Sequence, residues 1–369
     1  MIKILHIARP IAGVGTYISL LTRHIDNNKF TNVIICNKKD NNIELLDANK
    51  DKIKCYYTNL EREINLLKDL SCLIKIIKII KKEKPNIIHC HSAKAGILGR
   101  ISGFFLQIST FYTPHAYSYL STTSKTKKIT FKMIEYFFGF LPATTLACSL
   151  SEQQTAINDL KIKKTKVKVW TNSIEKNIQF KNSLELKKLP NKFLCSIGRL
   201  SYQKNPELLI HTVSEIKKQI QEIHLVILGV GFFSPLQKKI KKQIQEQSLE
   251  KNITLIPWID RSKAMMILKK SQLYISTSRY EGLPYSIIEA LNLSKPCVVT
   301  NISGNNDLIS SNFNGYLVSN NAKEIAKKVV YLLENNELYK KLSFNARVEF
   351  LKKYDMKKNI KKLERIYLK

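Results

Sequence analysis

Short apolar runs rich in Ile and Val alternate along the chain with longer stretches of helical periodicity. Runs of this length, apolar without interruption, are typical of parallel strands that helices cover on both faces. The first set of predicted strands lies at residues 2–7, 32–36, 86–90, 109–113, 145–149 and 167–171. The second set lies at residues 193–197, 224–228, 254–257, 273–277 and 297–300. The pattern therefore predicts two parallel sheets in an α/β fold.

A polar segment at residues 173–191 separates the two sets and is expected to act as a hinge. A chain of 369 residues also exceeds what one hydrophobic core usually organises. We therefore expect two Rossmann-like, doubly wound α/β domains that face each other across a cleft, one at residues 1–175 and one at residues 190–353. In such sheets ligands bind beyond the carboxyl ends of the strands.

The cysteines and the acidic residues limit the chemistry. None of the seven cysteines forms a Cys-x-x-Cys pair, so we expect reduced thiols and no zinc site.

No cleavable signal precedes the first strand, and no apolar stretch reaches the length of about 20 residues that a membrane-spanning helix needs, so we expect a cytoplasmic protein. The sequence contains no Asp-x-Asp, the usual acidic pair that holds a metal–nucleotide complex. This absence predicts a site without a metal ion or other cofactor.

The formal net charge of +32 is the strongest signal in the composition. It is compatible with a nucleic acid, an anionic membrane or an acidic small molecule as partner, and also with a Lys-rich composition that has no functional meaning. One window favours a partner, because no Asp or Glu occurs between Glu83 and Glu135. This acid-free window contains His89, His91, Lys84, Lys94, Arg100, Lys125, Lys127, Lys128 and Lys132.

A Gly-Arg-x4-Lys-Asn-Pro motif at residues 198–206 follows the first strand of the second set. Gly198 is expected to turn the chain sharply off the strand. Arg199 offers a planar fork of donors and Lys204 a point charge, both close to the start of the next helix. Two cations beside a helix N-terminus can clamp a pyrophosphate, although each alone could be an ordinary surface residue.

A second motif, Glu-Gly-Leu-Pro, is formed by Glu281, Gly282, Leu283 and Pro284 and leads into a helix. Pro284 suits the first helical position, and backbone N–H groups of this turn are expected to face an anion or sugar oxygens. Glu289 follows one turn into the helix. Carboxylates accept hydrogen bonds from sugar hydroxyls and from a ribose diol. The alternatives are a helix-start carboxylate for Glu281 and a solvated helix face for Glu289.

Together these motifs resemble glycosyltransferase family 4, a retaining family with the two-domain glycosyltransferase B fold. The resemblance rests on the Glu-x7-Glu spacing, the Glu-Gly-Leu-Pro turn and the Gly-Arg…Lys-Asn-Pro loop, and it extends over essentially the whole chain. It implies that Arg199 and Lys204 bind the donor diphosphate. Glu281 would touch the donor sugar, and Glu289 would hold the ribose. A final helix at residues 354–369 would pack back on the first domain.

Weaker motifs elsewhere fit the same family. Gly13 and Gly15 follow the first strand and resemble the family's glycine loop beside the donor phosphate, although a plain strand-to-helix turn has the same spacing. His115, in a Thr-Pro-His-Ala segment, matches the histidine that many members place against the donor sugar. A lone histidine after a strand can equally be structural. Gly229 is expected to approach the base or ribose through its backbone.

The resemblance implies a retaining glycosyltransferase of bacterial cell-surface polysaccharide synthesis, acting in capsule, O-antigen or exopolysaccharide formation. Its partners would be a nucleotide-sugar donor, expected to be a UDP-sugar, and a sugar or lipid-diphosphate-linked acceptor. The catalytic residues would be Glu281, His115, Arg199 and Lys204. The acid-free window would help the protein to lie peripherally on the inner face of the plasma membrane. The alternatives are a sugar-nucleotide enzyme of the same fold, such as a 2-epimerase, and a nucleic-acid-binding protein, for which no known motif is present.

Overall fold

The computed structural model describes residues 1–369 except 41–43, 62, 179, 181–188 and 232–233. The chain forms two compact units, Met1–Asn172 with Met356–Lys369 and Ser173–Asp355. Residues 179 and 181–188 of the expected hinge lie outside the described residues. No helix in the described part of the chain has the length and apolar character needed to cross a membrane.

Parallel strands form the centre of the first unit. The strands are β1 Ile2–Ile7, β2 Phe30–Cys36, β3 Lys54–Tyr57, β4 Ile87–His91, β5 Ser109–Thr113, β6 Ala143–Ala147 and β7 Val167–Val169. They lie in the order β3-β2-β1-β4-β5-β6-β7, which is doubly wound. The α-helices between them are α1 Gly13–His24, α2 Leu66–Glu83, α3 Ala93–Leu106, α4 Lys125–Phe138 and α5 Leu150–Gln154.

The two faces of this sheet differ in chemistry. On one face, Leu5 and Ile7 of β1 belong to the same hydrophobic cluster as Ile76 and Ile80 of α2. Because side chains alternate along a strand, His6 lies on the opposite face. His89 and His91 of β4 join it there, and all three histidines are fully buried. The first unit therefore has one apolar core and one polar core.

The second unit is also a parallel, doubly wound sheet. Its strands are β8 Leu194–Ile197, β9 Leu225–Val230, β10 Ile253–Pro257, β11 Tyr274–Ser276, β12 Cys297–Thr300 and β13 Gly315–Val318. They lie in the order β10-β9-β8-β11-β12-β13. The helices are α6 Pro206–Lys217, α7 Gln237–Glu246, α8 Arg261–Lys270, α9 Tyr285–Asn292, α10 Ala322–Glu334 and α11 Asn336–Lys353. The predicted fold class, two doubly wound α/β sheets, is confirmed.

The last helix, α12 Met356–Tyr367, belongs to the first unit. Its Tyr367 hydroxyl lies 2.6 Å from Nδ1 of His89, beneath the sheet. The indole Nε1 of Trp170 donates to the carbonyl of Asn359 at 2.8 Å. The carboxylate of Glu364 accepts from the backbone N–H of Asp26 at 3.1 Å. These contacts attach α12 to the first unit, and Tyr367 joins its polar core.

Candidate active site

The loops that follow β8 and β11 are tied together at the carboxyl edge of the second sheet. Thr277 donates its hydroxyl to the carbonyls of Lys204 and Asn205, at 3.2 and 2.9 Å. The backbone N–H of Arg279 donates to the carbonyl of Gln203 at 2.8 Å. Since β8 and β11 are neighbours in the sheet, these bonds bring the Gly-Arg…Lys-Asn-Pro loop against the Glu-Gly-Leu-Pro turn.

Glu281 and Lys204 form an ion pair across the two loops, with 2.6 Å between Nζ and Oε1. The hydroxyl of Ser278 donates to the same carboxylate oxygen at 2.8 Å. Gln203 Nε2 donates to Oε2 at 3.2 Å. Glu281 is only 8% exposed. Three side-chain donors therefore fix this carboxylate, which disfavours the alternative of a carboxylate held by a helix start.

Arg199 lies beside Lys204, as the sequence predicts. Gly198, Arg199 and Lys204 line one small cavity at the end of β8. A Cβ atom on Gly198 would stand 3.0 Å from the Lys204 side chain, which is tighter than ordinary carbon contacts. The described glycines with positive φ are Gly229, Gly231 and Gly304. Gly198 lies at a bend directly after β8, as expected, and its missing side chain also leaves room for the lysine.

Gly304 allows a third loop, after β12, to approach the Glu281 turn. Its φ is +84°, and a Cβ there would lie 2.8 Å from the carbonyl oxygen of Gly282 and 3.0 Å from Glu281. Gly282 and Leu283 are buried within this turn. Pro284 is the N-cap of α9, so the helix begins at Tyr285, one residue later than the sequence predicts. The loop after β12 thus packs closely against the backbone of this turn.

Glu289 lies on α9 and is 7% exposed, so the alternative of a solvated helix face is wrong. Burial raises the pKa of this carboxyl, and the neighbouring Arg261 guanidinium opposes that shift. Arg261 Nε donates to Glu289 Oε1 at 2.9 Å. Arg261 was not predicted as a site residue, because a single arginine at the start of α8 carries no local motif.

The loops after β9 and β10 complete this edge of the sheet. Gly229 has a φ of +90° at the end of β9. The backbone N–H of Trp258 donates to the carbonyl of Val230 at 3.1 Å, which fixes the start of the next loop. The Trp258 side chain is 75% exposed. This exposed tryptophan, tied to the glycine-containing loop after β9, was not predicted, because no local motif marks it.

The predicted residues of the first unit also lie near one another. Gly13 begins α1, and Gly15 is buried in its first turn. Tyr17, in the same part of α1, packs edge-on against His115, with 4.6 Å between ring centroids. His115 is half-buried, in the loop after β5. The glycine turn and His115 therefore share the carboxyl edge of the first sheet.

His115 stands in a strained loop that a buried carboxylate supports. The φ angles of His115 and Ala116 are 55° and 72°, in the left-handed region that side chains disfavour. Glu152 accepts from the backbone N–H of Ala116 at 2.8 Å and from that of Cys148 at 2.7 Å. Glu152 was not predicted as a site residue, because its position in the sequence is typical of an ordinary helix-start carboxylate.

Four histidines meet at this place. Three of them, His115, His91 and His6, are linked by hydrogen bonds in a row that we call the histidine chain. His115 Nε2 lies 3.3 Å from His91 Nδ1. His91 Nε2 lies 3.2 Å from His6 Nδ1, and His6 Nε2 lies 3.1 Å from the amide oxygen of Asn32. Burial lowers the pKa of His6 to about 4 and that of His115 to about 3. Burial also lowers the pKa values of His89 and His91 well below 6.5.

The described residues contain one group with the spacing of a metal site, His6, His89 and His91. Each ring nitrogen of these histidines has a protein hydrogen-bond partner. The ring nitrogens of His89 bond to Tyr367 and the Thr113 hydroxyl. Those of His6 and His91 bond to their neighbours in the histidine chain. The group contains no carboxylate. These hydrogen bonds explain the three histidines without a metal ion, as neutral members of the polar core.

The acid-free window does not form one basic surface. His89 and His91 are buried, and Arg100 pairs with Glu135 inside the unit at 3.1 Å. Lys94 pairs with Asp69 at 2.7 Å. The expectation of a continuous basic surface is wrong for these residues, because the acids that neutralise them come from outside the window. The exposed cations that remain lie mainly on α4: Lys125, Lys127 and Lys128.

Helix α4 also exposes apolar side chains. Ile129, Met133, Phe137 and Phe140 are 64%, 44%, 61% and 63% exposed. The spacing of four residues places Ile129, Met133 and Phe137 in one stripe along the helix, and Phe140 follows just after the helix ends. Lysines and an exposed apolar stripe therefore occupy the same helix, while Glu135 is its one buried residue.

Comparison with known proteins identifies the two units. The family model for Glycosyltransferase Family 4 matches residues 11–177, and the model for Glycosyl transferases group 1 matches residues 177–349. An Escherichia coli UDP-Gal:alpha-D-GlcNAc-diphosphoundecaprenol alpha-1,3-galactosyltransferase is 29% identical over 382 residues, 100% of this chain and 97% of that protein. The Escherichia coli O-antigen biosynthesis glycosyltransferase WbnH is 28% identical, over 77% of this chain and 78% of its own.

Solved structures share the fold. HepE from Anabaena, crystallised with UDP and glucose, superposes with a TM-score of 0.81 at 18% identity, over 99% of both chains. At this identity the similarity concerns the fold. The resemblance stated from the sequence motifs is therefore confirmed by the family models, the relatives and the fold.

Proposed function

The chain belongs to the glycosyltransferases of family 4, and on this premise we propose that it moves a sugar from a UDP-sugar to a lipid-diphosphate-linked sugar. The product would serve capsule, O-antigen or exopolysaccharide synthesis. The relative that is 29% identical is named for a UDP-galactose donor and a diphosphoundecaprenol-linked acceptor, which supports this choice of substrates. The transferred group would be a hexose or an N-acetylhexosamine.

The observation that carries the proposal is the contact between two motifs far apart in sequence. Lys204, assigned to the diphosphate, and Glu281, assigned to the donor sugar, lie in contact at 2.6 Å. A diphosphate and its sugar are adjacent in a nucleotide-sugar, so their binding groups must be adjacent too. Arg199 lines the same cavity as Lys204. Glu289, held by Arg261, would accept hydrogen bonds from the ribose.

Transfer would occur with retention at the anomeric carbon. The acceptor hydroxyl attacks that carbon on the face from which the diphosphate leaves, and the bond between the carbon and the phosphate oxygen breaks. The hydroxyl proton passes to the leaving phosphate. Arg199 and Lys204 would stabilise the negative charge that builds on the diphosphate, which is the kind of preorganised electrostatics that usually dominates catalysis. His115 would contact the donor sugar.

We also propose that transfer requires no metal ion. The absence of an Asp-x-Asp supports this proposal, and Arg199 and Lys204 would neutralise the diphosphate in place of a metal. The carboxylate of Glu281 is already occupied by Lys204, Ser278 and Gln203.

The α4 surface, defined as Ile129, Met133, Phe137, Phe140 and the neighbouring Lys125 and Lys128, would contact an anionic membrane. Lysines are attracted to acidic lipid headgroups, and exposed apolar side chains insert beneath them. A lipid-linked acceptor is anchored in a membrane, so this contact would bring the protein to its acceptor.

Product analysis tests the proposed function. Purified protein is incubated with a panel of UDP-sugars and a lipid-diphosphate-linked N-acetylhexosamine, and the products are analysed by mass spectrometry and by NMR of the new anomeric proton. We expect one donor to add a single sugar with the anomeric configuration it had in the donor. Addition with inverted configuration, or no addition from any donor in the panel, would contradict the proposal.

A further inference from the structure

The hydrogen bonds of the histidine chain, from Asn32 through His6 and His91 to His115, all point in one direction. That direction follows from which atoms can donate and which can accept. A neutral imidazole carries one N–H donor and one acceptor nitrogen. Burial lowers the pKa values of His6, His91 and His115 far enough that all three are neutral near pH 7. Each ring that accepts at one nitrogen must therefore donate at the other.

The direction follows from the end at Asn32. In the orientation of the Asn32 side chain, the amide oxygen faces His6 and its Nδ2 is buried without a hydrogen-bond partner among the described residues. An amide oxygen can only accept, so in this orientation the proton of His6 is on Nε2. Nδ1 of His6 is then an acceptor, and His91 donates to it from Nε2. Nδ1 of His91 is in turn an acceptor, so His115 donates to it from Nε2. The remaining nitrogen of His115, Nδ1, carries a lone pair.

We propose that His6 and His91 are positioning residues, which hold His115 with Nδ1 unprotonated so that it accepts a hydrogen bond from a donor-sugar hydroxyl. The inference rests on the proposed function, because it assumes that His115 meets the donor sugar. His6 and His91 themselves are fully buried and touch no substrate. They act through the ring of His115.

The backbone at His115 provides a second, independent sign of positioning. His115 and Ala116 both have left-handed φ angles, which persist only where the surroundings enforce them. The Glu152 carboxylate holds the N–H of Ala116 and so fixes the backbone of the loop. The histidine chain fixes the ring, and Tyr17 packs against it from the side. Backbone and side chain are thus fixed by different elements.

His89 supplies a matched control. It lies on β4 with His91, on the same face of the sheet, and is equally buried. Its hydrogen bonds go to Tyr367 and Thr113 rather than to members of the histidine chain. Replacement of His89 therefore removes one buried imidazole from the polar core, as replacement of His91 does, but it leaves the histidine chain intact.

Nitrogen-15 NMR of the histidine rings in the full-length protein tests the tautomers directly and needs no substrate. In the wild type we expect His115, assigned through its loss in His115→Gln, to be neutral with its proton on Nε2. His91→Phe removes the acceptor of that proton and should give a mixed tautomer population, whereas His89→Phe should leave the His115 signals in place. The proton on Nδ1 in the wild type, or identical His115 signals in His91→Phe, would overturn the proposal.

Kinetics give the second readout. His91→Phe should lower kcat by about tenfold to a hundredfold, the usual consequence of misplacing a group that meets the transition state. UDP affinity should stay unchanged, because UDP lacks the sugar that is transferred. His91→Gln, which retains one donor and one acceptor, should recover part of the loss. Equal losses in His89→Phe and His91→Phe would show a merely structural role and overturn the proposal. If no UDP-sugar is a donor for the wild type, the proposed function fails, while the NMR result still decides the tautomer.

Discussion

Lys204 Nζ lies 2.6 Å from Glu281 Oε1, so a cation and a carboxylate from loops 77 residues apart form one ion pair. The pair is held on each side: the Lys204 stem packs against Gly198, and the carboxylate accepts from Ser278 and Gln203. In the proposed complex, a donor diphosphate bound to Lys204 would therefore meet a cation that is already oriented. The sugar next to that diphosphate would meet a carboxylate that three side chains hold in place. Preorganisation of this kind is what electrostatic catalysis requires.

Glu281→Gln is expected to lower turnover by about 10²–10³, the usual cost of losing one positioned electrostatic partner. Glutamine keeps the size of the side chain, so the turn should remain folded. UDP affinity should stay the same or increase, because Lys204 loses its competing carboxylate. Steady-state kinetics and calorimetric titration of UDP measure the two effects. Full activity in Glu281→Gln would mean that this carboxylate only stabilises the loop.

Glu289→Gln is expected to weaken UDP binding through the ribose. Hydrogen bonds to a charged group contribute about 1.5–3 kcal/mol, or roughly one to two orders of magnitude in affinity. The wild type should therefore prefer UDP over 2′,3′-dideoxy-UDP, and the variant should lose most of that preference. Titration of both nucleotides against both proteins measures it. An unchanged preference would place the ribose elsewhere.

Much of the second unit follows from the sequence, because its signals are local. The Gly-Arg…Lys-Asn-Pro and Glu-Gly-Leu-Pro motifs occupy the loops after β8 and β11 that the apolar pattern predicts. The contact between Lys204 and Glu281 depends on β8 and β11 being neighbours, which a parallel sheet makes plausible but no local pattern encodes. Arg261 and Trp258 were missed for the same reason: their meaning comes from residues distant in sequence.

The first unit shows where sequence patterns mislead. His89 and His91 alternate with apolar residues in β4, and Arg100 lies in a window without acids, so all three resemble members of a basic surface. Tertiary structure supplies their partners from Tyr367, His6 and Glu135. The edge strands β3 and β13 were also missed. The sequence of β3 is Lys-Cys-Tyr-Tyr and it is only partly buried, and β13 begins with Gly315, so neither is a continuous run rich in Ile and Val.

The buried histidines predict a dependence of stability on pH. Their pKa values are lower in the folded protein than in the unfolded chain, about 4 for His6 and about 3 for His115 against 6.5. Between these values the unfolded chain binds more protons, so stability falls as the pH falls below 6.5. Each such histidine should cost about 1 kcal/mol between pH 7.5 and 5.5. Urea unfolding at both pH values measures the change.

His89→Phe removes one of these groups and provides the comparison for the pH experiment. Its loss of stability between pH 7.5 and 5.5 should be smaller than that of the wild type by about 1 kcal/mol. The carboxylates titrate mainly at lower pH, so they contribute little in this window. An identical pH dependence in both proteins would mean that His89 is charged in the folded state.

Chelation tests the proposed absence of a metal. Activity in excess EDTA should equal activity in buffer alone, since Arg199 and Lys204 would take the place of a cation at the diphosphate. The rate of sugar transfer is the measurement. Loss of activity that manganese or magnesium restores would contradict the proposal.

The α4 surface predicts binding to anionic vesicles that high salt reverses, because headgroup attraction is screened beyond about 8–10 Å at physiological ionic strength. Phe137→Glu should weaken flotation with such vesicles. Phe344→Glu, which changes an equally exposed phenylalanine on α11 of the second unit, should not. Equal binding of wild type and Phe137→Glu would exclude this surface, and equal binding to neutral vesicles would exclude the electrostatic attraction.

The donor site of the second unit is the central claim, and calorimetric titration of UDP and UMP against charge-deleted variants tests it most directly. Lys204→Met keeps the stem that packs against Gly198 and removes the charge, and Arg199→Met does the same for its neighbour. Each should weaken UDP binding by about one to two orders of magnitude and leave UMP binding nearly unchanged, because the lost hydrogen bonds are charge-assisted. Lys241→Met, on an exposed part of α7, should bind both nucleotides as the wild type does. If Lys241→Met weakens UDP binding as much as Lys204→Met, the diphosphate is held by the general positive field and the site assignment is wrong.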